Sequence, residues 1–224
     1  MTIVYHPEVI QGSDIWVSLR AGLLTASEMH LIVTPTLKIA DNDKTRIHLY
    51  ELMAQRITGH VEPQYVSDDM LRGINDEVKA KIIYSEKYST VVETGFVTND
   101  FLGFPIGFSP DGLIDDDGLI ECKSRRQKFQ VQTIANNEMP KDYLIQVQTG
   151  LMVTDRSYCD FVSYCGGLPL FVQRIYADVL IQKAIIEAAI SFEDKLQEKL
   201  AEYQKIASTL FMTEREEDEE EITL

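Results

Sequence analysis

The spacing of apolar residues divides the chain into helices in its first third and strands in its middle. Ser13 to Leu19 suits a short helix, with Ser13 as N-cap, Trp16 inward and Arg20 at its end. Thr25-Ala26-Ser27-Glu28 has capping-box spacing, which predicts a second helix through Ile32. Residues 34–44 are polar and hold Pro35 and Asp41-Asn42-Asp43, so they read as a loop. Ile47, Leu49, Tyr50, Met53, Ala54 and Ile57 then recur at helical spacing before Gly59, predicting a core helix over 45–58. A further stripe of Met70, Leu71, Ile74, Val78, Ile82 and Ile83 predicts a helix from Ser67 to about Lys87.

The period then shortens to two. Residues 90–98 are rich in β-branched side chains and read as the first strand. Phe104, Ile106 and Phe108 alternate with Pro105 and Gly107, giving a strand over 104–113. Asp115 to Gly118 form a turn, and Leu119 to Lys123 return as a short strand. Residues 141–153 read as a helix with Tyr143, Gln146 and Gly150 on one face. Two strands, 158–164 and 170–176, flank the turn Gly166-Gly167-Leu168-Pro169. A long helix over 178–207 closes the series, its stripe being Ile181, Ala184, Ile185, Ala188, Phe192 and Leu196. The expected fold class is α/β: one domain over residues 1–212, with a central mixed β-sheet flanked by helices. Residues 213–224 are expected to be a disordered acidic tail.

Composition narrows the compartment and the partners. The 224 residues are 45% hydrophobic and 25% charged, ordinary for a soluble globular protein. No apolar run is long enough to cross a membrane, and the start lacks a signal peptide, so a cytoplasmic location is expected. Cys122, Cys159 and Cys165 are too few for a disulfide framework, a zinc site with paired cysteines or a four-cysteine iron–sulfur cluster. They read as small buried residues. His48 and His60 have no partner at metal spacing and read as structural or solvated. The net charge of −15 argues against an all-over nucleic-acid binder. Glu214 to Glu221 carry −6 of it, and a body at −9 can still hold DNA in a groove of concentrated positive charge.

The chemistry concentrates at the turn. Centred on Asp116, the hairpin register sets Asp111 across from Glu121, with Cβ atoms roughly 5 Å apart. Glu121 and Lys123 share a strand face. Two close carboxylates raise one another's pKa unless a cation lies between them, and a divalent metal with oxygen ligands resolves the conflict. Ser124-Arg125-Arg126-Gln127-Lys128 follows at once, and beside such a site it reads as a phosphate clamp. On pattern alone, a solvated surface hairpin remains the simpler alternative.

The full string is more specific. Pro110-Asp111 followed by Glu121-Cys122-Lys123 matches the PD-(D/E)xK nuclease motif, which implies a restriction-endonuclease-like core. With its flanks it resembles the phage lambda-type alkaline exonucleases of the YqaJ-like viral recombinase family. Trp16-x-x-Leu19-Arg20-x-Gly22-x-x-Thr25-Ala26-Ser27-Glu28 resembles the family's N-terminal signature, and Gly73-x-x-x-Glu77 and Tyr143-x-x-Gln146 fit two further motifs. The resemblance implies a Mg²⁺-dependent 5′-to-3′ exonuclease on double-stranded DNA, with two ions expected and Mn²⁺ as a substitute. It implies Asp111, Glu121, Lys123, Glu77, Gln146 and Tyr143 as catalytic residues. Asp111, Glu121, the Cys122 carbonyl and Glu77 become metal ligands; Arg20, Ser27 and Thr25 hold the 5′-phosphate. Arg125, Arg126 and Lys128 are expected on the DNA backbone. A homotrimeric ring, a phage single-strand annealing protein as partner, and a phage or prophage origin in a bacterial host follow by the same resemblance. The alternatives are an endonuclease or repair nuclease of this superfamily, or a non-catalytic DNA-end-binding protein on the same scaffold.

Overall fold

Among the described residues, two sheets are packed around one large and one small apolar cluster. The structure is a computed structural model and describes residues 2–63, 65 and 67–215. The first sheet has strand order β1-β4-β5-β2, formed by β1 (Ile3–His6), β4 (Phe96–Asn99), β5 (Ile106–Phe108) and β2 (Leu24–Thr25). The second has order β3-β6-β7-β8-β9, formed by β3 (Val91–Val92), β6 (Gly112–Ile114), β7 (Gly118–Ser124), β8 (Tyr158–Tyr164) and β9 (Phe171–Tyr176). Both sheets are mixed, because β2 runs parallel to β5 and β7 parallel to β8. The α/β class with helices on mixed sheets is as expected, but the single central sheet is two.

The breaks have local causes. The strand expected over 104–113 is interrupted at Ser109-Pro110-Asp111, so β5 joins the first sheet and β6 the second. Pro110 has no N–H to give a ladder. Likewise 90–98 splits at Glu93 to Gly95 into β3 and β4. Gly112 is required where β6 lies between β3 and β7: a Cβ there would meet Val91 Cγ1 at 2.3 Å.

Among the described residues, six helices surround the sheets: α1 (Asp14–Arg20), α2 (Asp43–Thr58), α3 (Asp68–Lys87), α4 (Gln127–Asn136), α5 (Leu144–Thr154) and α6 (Val179–Ala207). Their caps match the sequence. Ser13 and Ser67 accept from backbone N–H groups of α1 and α3, and Gly59 ends α2 with φ 66°. The large core cluster joins Leu52 and Met53 of α2, Val147 and Leu151 of α5, and Ile185, Phe192 and Leu196 of α6 to the sheets. The three cysteines are buried and free, as expected.

Several expectations fail. Thr25 to Ile32 is not a capped helix: Leu24–Thr25 is a strand, and only Met29–Leu31 forms a 3₁₀ turn. Ala26 N–H donates to the Gly107 carbonyl, so the parallel pairing with β5 outcompetes the helix. Glu28 takes the Thr25 hydroxyl at 2.6 Å, a side-chain contact in place of the capping-box bond to the Thr25 N–H. On α2, Ile47 and Tyr50 face outward and His48 is buried. The His48 ring lies 5.6 Å from Phe192 and its Nδ1 3.3 Å from Glu51, a structural histidine. The α3 stripe is also misassigned: Met70, Leu71, Ile74, Val78 and Ile82 are half exposed, and Ala80 and Tyr84 are the buried residues. Helix α4 was not expected, because its Gln-rich sequence carries no apolar period. The tail expected over 213–224 falls, from residue 216 on, outside the described residues.

Candidate active site

Strands β6 and β7 pair Gly112 with Ile120 and Leu113 with Leu119, a register that one further step carries to Asp111 and Glu121. Asp111 Oδ2 accepts the Cys122 N–H at 2.6 Å. Glu121 is 1% exposed; its Oε1 meets Lys123 Nζ at 2.5 Å and accepts Gln146 Nε2 at 2.7 Å. Its Oε2 is buried without a hydrogen-bond partner among the described residues. Burial, then the charges of Glu121 and Glu77, push Asp111 well above the usual carboxylate range. Burial would lower Lys123, but Glu121 and Asp111 outweigh it, so the ammonium is held protonated. The Cys122 thiol packs in the smaller apolar cluster and burial raises its pKa, which leaves the main chain as its contribution to the site.

Helix α3 brings a third carboxylate and a second lysine. Glu77 Oε1 lies 2.9 Å from Lys81 Nζ, which also contacts Glu93 at 2.7 Å and donates to the Asp111 carbonyl at 3.2 Å. Burial opposes the Lys81 charge, but Glu93 and Glu77 lift its pKa to about 12. Lys81 and Glu93 were missed from sequence. The signal for Lys81 was present as the i,i+4 pair with Glu77. Glu93, between two strands, carried none.

Two features of this patch fit a divalent cation. The donors are hard oxygens, and Glu121 keeps one buried oxygen unspent while it and Asp111 repel. Among the described residues no three His, Cys, Asp or Glu side chains form a ready metal cluster. Glu77 is directed to Lys81, so the side chains left as candidates for a cation are Asp111 and Glu121.

The N-terminal residues make a separate pocket. Arg20 Nη1 donates to Ser109 Oγ at 3.2 Å and Nη2 to Thr25 Oγ1 at 3.4 Å. The Thr25 and Ser27 hydroxyls are 3.3 Å apart, and Ser27 is exposed. Trp16 Nε1 donates to Ser109 at 2.9 Å, and the Arg20 guanidinium covers the Trp16 ring at 4.2 Å. Burial lowers the Arg20 pKa, with Glu28 opposing. Ser109, two residues before Asp111, ties this pocket to the carboxylates and was missed as a site residue. A cleft of about 930 Å³ runs past Arg20, Thr25 and Glu28 to Glu77, Lys81 and Glu93, walled by Met70, Ile74 and Val78. It explains why Met70, Ile74 and Val78 of the α3 stripe stay out of the core. A smaller cavity of about 340 Å³ between α2 and α6 shares none of these residues.

The basic segment divides. Arg125 Nη1 donates to the Tyr143 hydroxyl at 2.7 Å, and Arg126 pairs with Asp69 at 2.8 Å. Lys128 is exposed, its Nζ 4.8 Å from the Phe129 ring centre. The structure therefore brings Asp111, Glu121, Lys123, Gln146 and Tyr143 together and sets Glu77 at their edge. Arg20, Thr25 and Ser27 form the second group, and Arg126 is turned to α3.

Comparisons with known proteins agree with this arrangement. The model of the YqaJ-like viral recombinase domain matches residues 15–157, more than half of the chain. An alkaline exonuclease from Laribacter hongkongensis superposes with a TM-score of 0.79 at 29% identity, covering 89% of this chain and all of its own. The same enzyme in complex with dAMP gives 0.79 at 30% identity, again over 89% of this chain and 100% of its own. A phage related exonuclease from Haemophilus somnus 129PT shares the fold at a TM-score of 0.53 and 15% identity, over 80% of this chain and 96% of its own. No curated protein matches the sequence. The fold is that of the PD-(D/E)xK alkaline exonucleases, and the chain belongs to the YqaJ-like viral recombinase family of lambda-type exonucleases.

Proposed function

We propose that this nuclease-family protein is a Mg²⁺-dependent exonuclease on double-stranded DNA. It digests the 5′-phosphorylated strand in the 5′-to-3′ direction, releases mononucleotides and leaves a 3′ single strand for annealing. The observation that carries the reading is the hairpin: Asp111, Glu121 and Lys123 on one patch, with an unspent Glu121 oxygen.

Asp111, Glu121 and the Cys122 carbonyl, with Glu77 assisting, would hold divalent ions; bound Mg²⁺, or Mn²⁺ in its place, supplies Lewis acidity at the phosphate and acidifies a water. Hydrolysis adds the water oxygen to phosphorus and breaks its bond to the 3′-oxygen of the terminal nucleotide. That oxygen leaves with a proton, and the shortened strand keeps a new 5′-phosphate. Lys123, protonated beside Glu121, orients the water and favours its deprotonated form. Gln146 fixes the Glu121 carboxylate, and Arg125 fixes Tyr143 beside Lys123.

Arg20 sets polarity. Its guanidinium, with the Thr25 and Ser27 hydroxyls, offers a phosphate charge-assisted hydrogen bonds at the edge of the cleft. By family resemblance the working form is a homotrimeric ring whose product strand passes to a single-strand annealing protein.

Three DNAs with Mg²⁺ test the reading: linear duplex with a 5′-phosphate, linear duplex with a 5′-hydroxyl, and closed circular duplex. Nucleotide release from the linear phosphate form, far slower release from the hydroxyl form and an intact circle are expected. Cutting of the circle would make the protein an endonuclease; binding without cleavage would make it a DNA-end-binding protein.

A further inference from the structure

The catalytic lysine is one end of a longer series in which cations and aromatic rings alternate. Lys123 Nζ lies 5.3 Å from the centre of the Tyr143 ring. The Arg125 guanidinium lies 5.5 Å from that same ring and 5.1 Å from the ring of Phe129. Lys128 Nζ follows, 4.8 Å from Phe129. Tyr143 is anchored on its other side by a stacked contact with buried Phe161, at 5.5 Å between ring centres. The series therefore starts in the core, passes the carboxylate patch and ends at the surface.

Phe129 is its exposed ring. It stands on the first turn of α4 and is 41% exposed, whereas α4 buries Gln130 and Thr133 against the body. Gln130 is bonded to main-chain oxygens of Ser163 and Pro169, so the helix is held without help from the Phe129 ring. Arg126 differs from its neighbours, because Asp69 already neutralises it. Arg125 and Lys128 have ring contacts but no salt bridge among the described residues.

We propose that Phe129, between Arg125 and Lys128, is a stacking platform for an unpaired DNA base next to the cleaved phosphate, with the two cations on the flanking phosphates. A base inside a duplex shows its edges and hides its faces, so an exposed ring takes a base that has left the stack. Interleaved cations compensate the backbone charge that accompanies it. The platform rests on the proposed nuclease function, since it is continuous with Lys123 through Arg125 and Tyr143. It goes beyond that function by assigning a subsite to a base.

Equilibrium binding of the full chain to three DNAs, in chelator so that none is cut, tests the platform. The probes are a fluorescently labelled single-stranded oligonucleotide, a duplex with unpaired terminal bases, and a closed circular duplex. Phe129→Ala should weaken binding to the first two by about tenfold and leave the circle unchanged. Phe129→Trp should restore binding, and because Trp16 is the chain's one native tryptophan, new emission quenched by the oligonucleotide would report stacking at this position. Lys128→Ala should instead lower the salt dependence by about one counterion. Wild-type affinity of Phe129→Ala for the oligonucleotide, or an unquenched Phe129→Trp, overturns the platform. Nucleotide release by the wild type is scored separately. Release with an unaffected Phe129→Ala removes the platform alone; no release, with single-strand binding lost in Phe129→Ala, removes the nuclease function and keeps the platform as a DNA subsite.

Discussion

Asp111 and Glu121 are ten positions apart and are brought together by one turn, whereas Arg20 reaches Ser109, 89 positions away, through the pairing of β2 with β5. The hairpin carries its geometry in a two-residue period and a turn of acidic residues, so its side chains converge wherever those strands pair. The N-terminal pocket has no such internal rule. Its strand β2 exists because β5 accepts it, and its turn is clamped from α2: Arg56 Nε donates to the Gly22 carbonyl at 2.7 Å and Gln55 takes the Gly22 N–H at 2.8 Å. Arg56 in turn forms a two-pronged pair with Glu193 of α6, at 2.6 and 2.8 Å. The proposed cleavage chemistry is thus local, and the proposed end recognition is a product of tertiary assembly. The two should therefore be separable by mutation.

The largest separation is expected at the hairpin. Glu121→Gln should lower cleavage by more than about 100-fold, beyond what an outer-sphere group costs, and weaken Mn²⁺ binding by calorimetry. DNA-end affinity and the 5′-phosphate preference in binding should survive. If both functions fell together, the two regions would be one unit.

Arg20→Ala sharpens the comparison from the other side. Losing charge-assisted hydrogen bonds to a phosphate should erase about 10- to 100-fold of the preference for a 5′-phosphate over a 5′-hydroxyl end. Turnover on the hydroxyl end should stay near wild type. A preserved preference would move the phosphate elsewhere.

A smaller effect is expected from the clamp. Arg56 and Glu193 side chains are 22% and 10% exposed, and the pair, with a hydrogen bond from Gln197, overcomes burial to hold Glu193 below its usual pKa. Arg56→Ala should cost about 2 kcal/mol of stability by chemical denaturation, and should reduce the phosphate preference without altering Mn²⁺ affinity.

The smallest is a pH effect on stability. Asp111 has a raised pKa, so its contribution to folding is complete below about pH 4, where it is protonated in both states, and is lost as pH rises through the raised value. Asp111→Asn in chelator should flatten this fall and melt above wild type at neutral pH. A lower melting point would mean that the carboxylates do not repel.

Legibility in the sequence follows the same division. The hairpin, the strands β8 and β9 and helix α6 were readable because each is set by its own periodicity. The single sheet was misread because Pro110 sends β5 and β6 to different sheets, a partition decided by distant partners. Thr25 to Glu28 carried a helix signal that pairing with Gly107 overrode. Met70, Ile74 and Val78 of the α3 stripe had correct spacing but line the cleft, and periodicity reports a shared face without saying what it faces. Ser109, Lys81 and Glu93 act through contacts that no local pattern announces.

Single-turnover cleavage by Lys123→Ala on a labelled linear duplex with a 5′-phosphate, alongside its binding affinity, tests the central claim most directly. Lys123 meets Glu121 at 2.5 Å and is held protonated, so its removal should slow cleavage by about 10²- to 10⁴-fold with binding within a few-fold of wild type. Wild-type cleavage by Lys123→Ala would contradict the assignment of the hairpin as the catalytic centre.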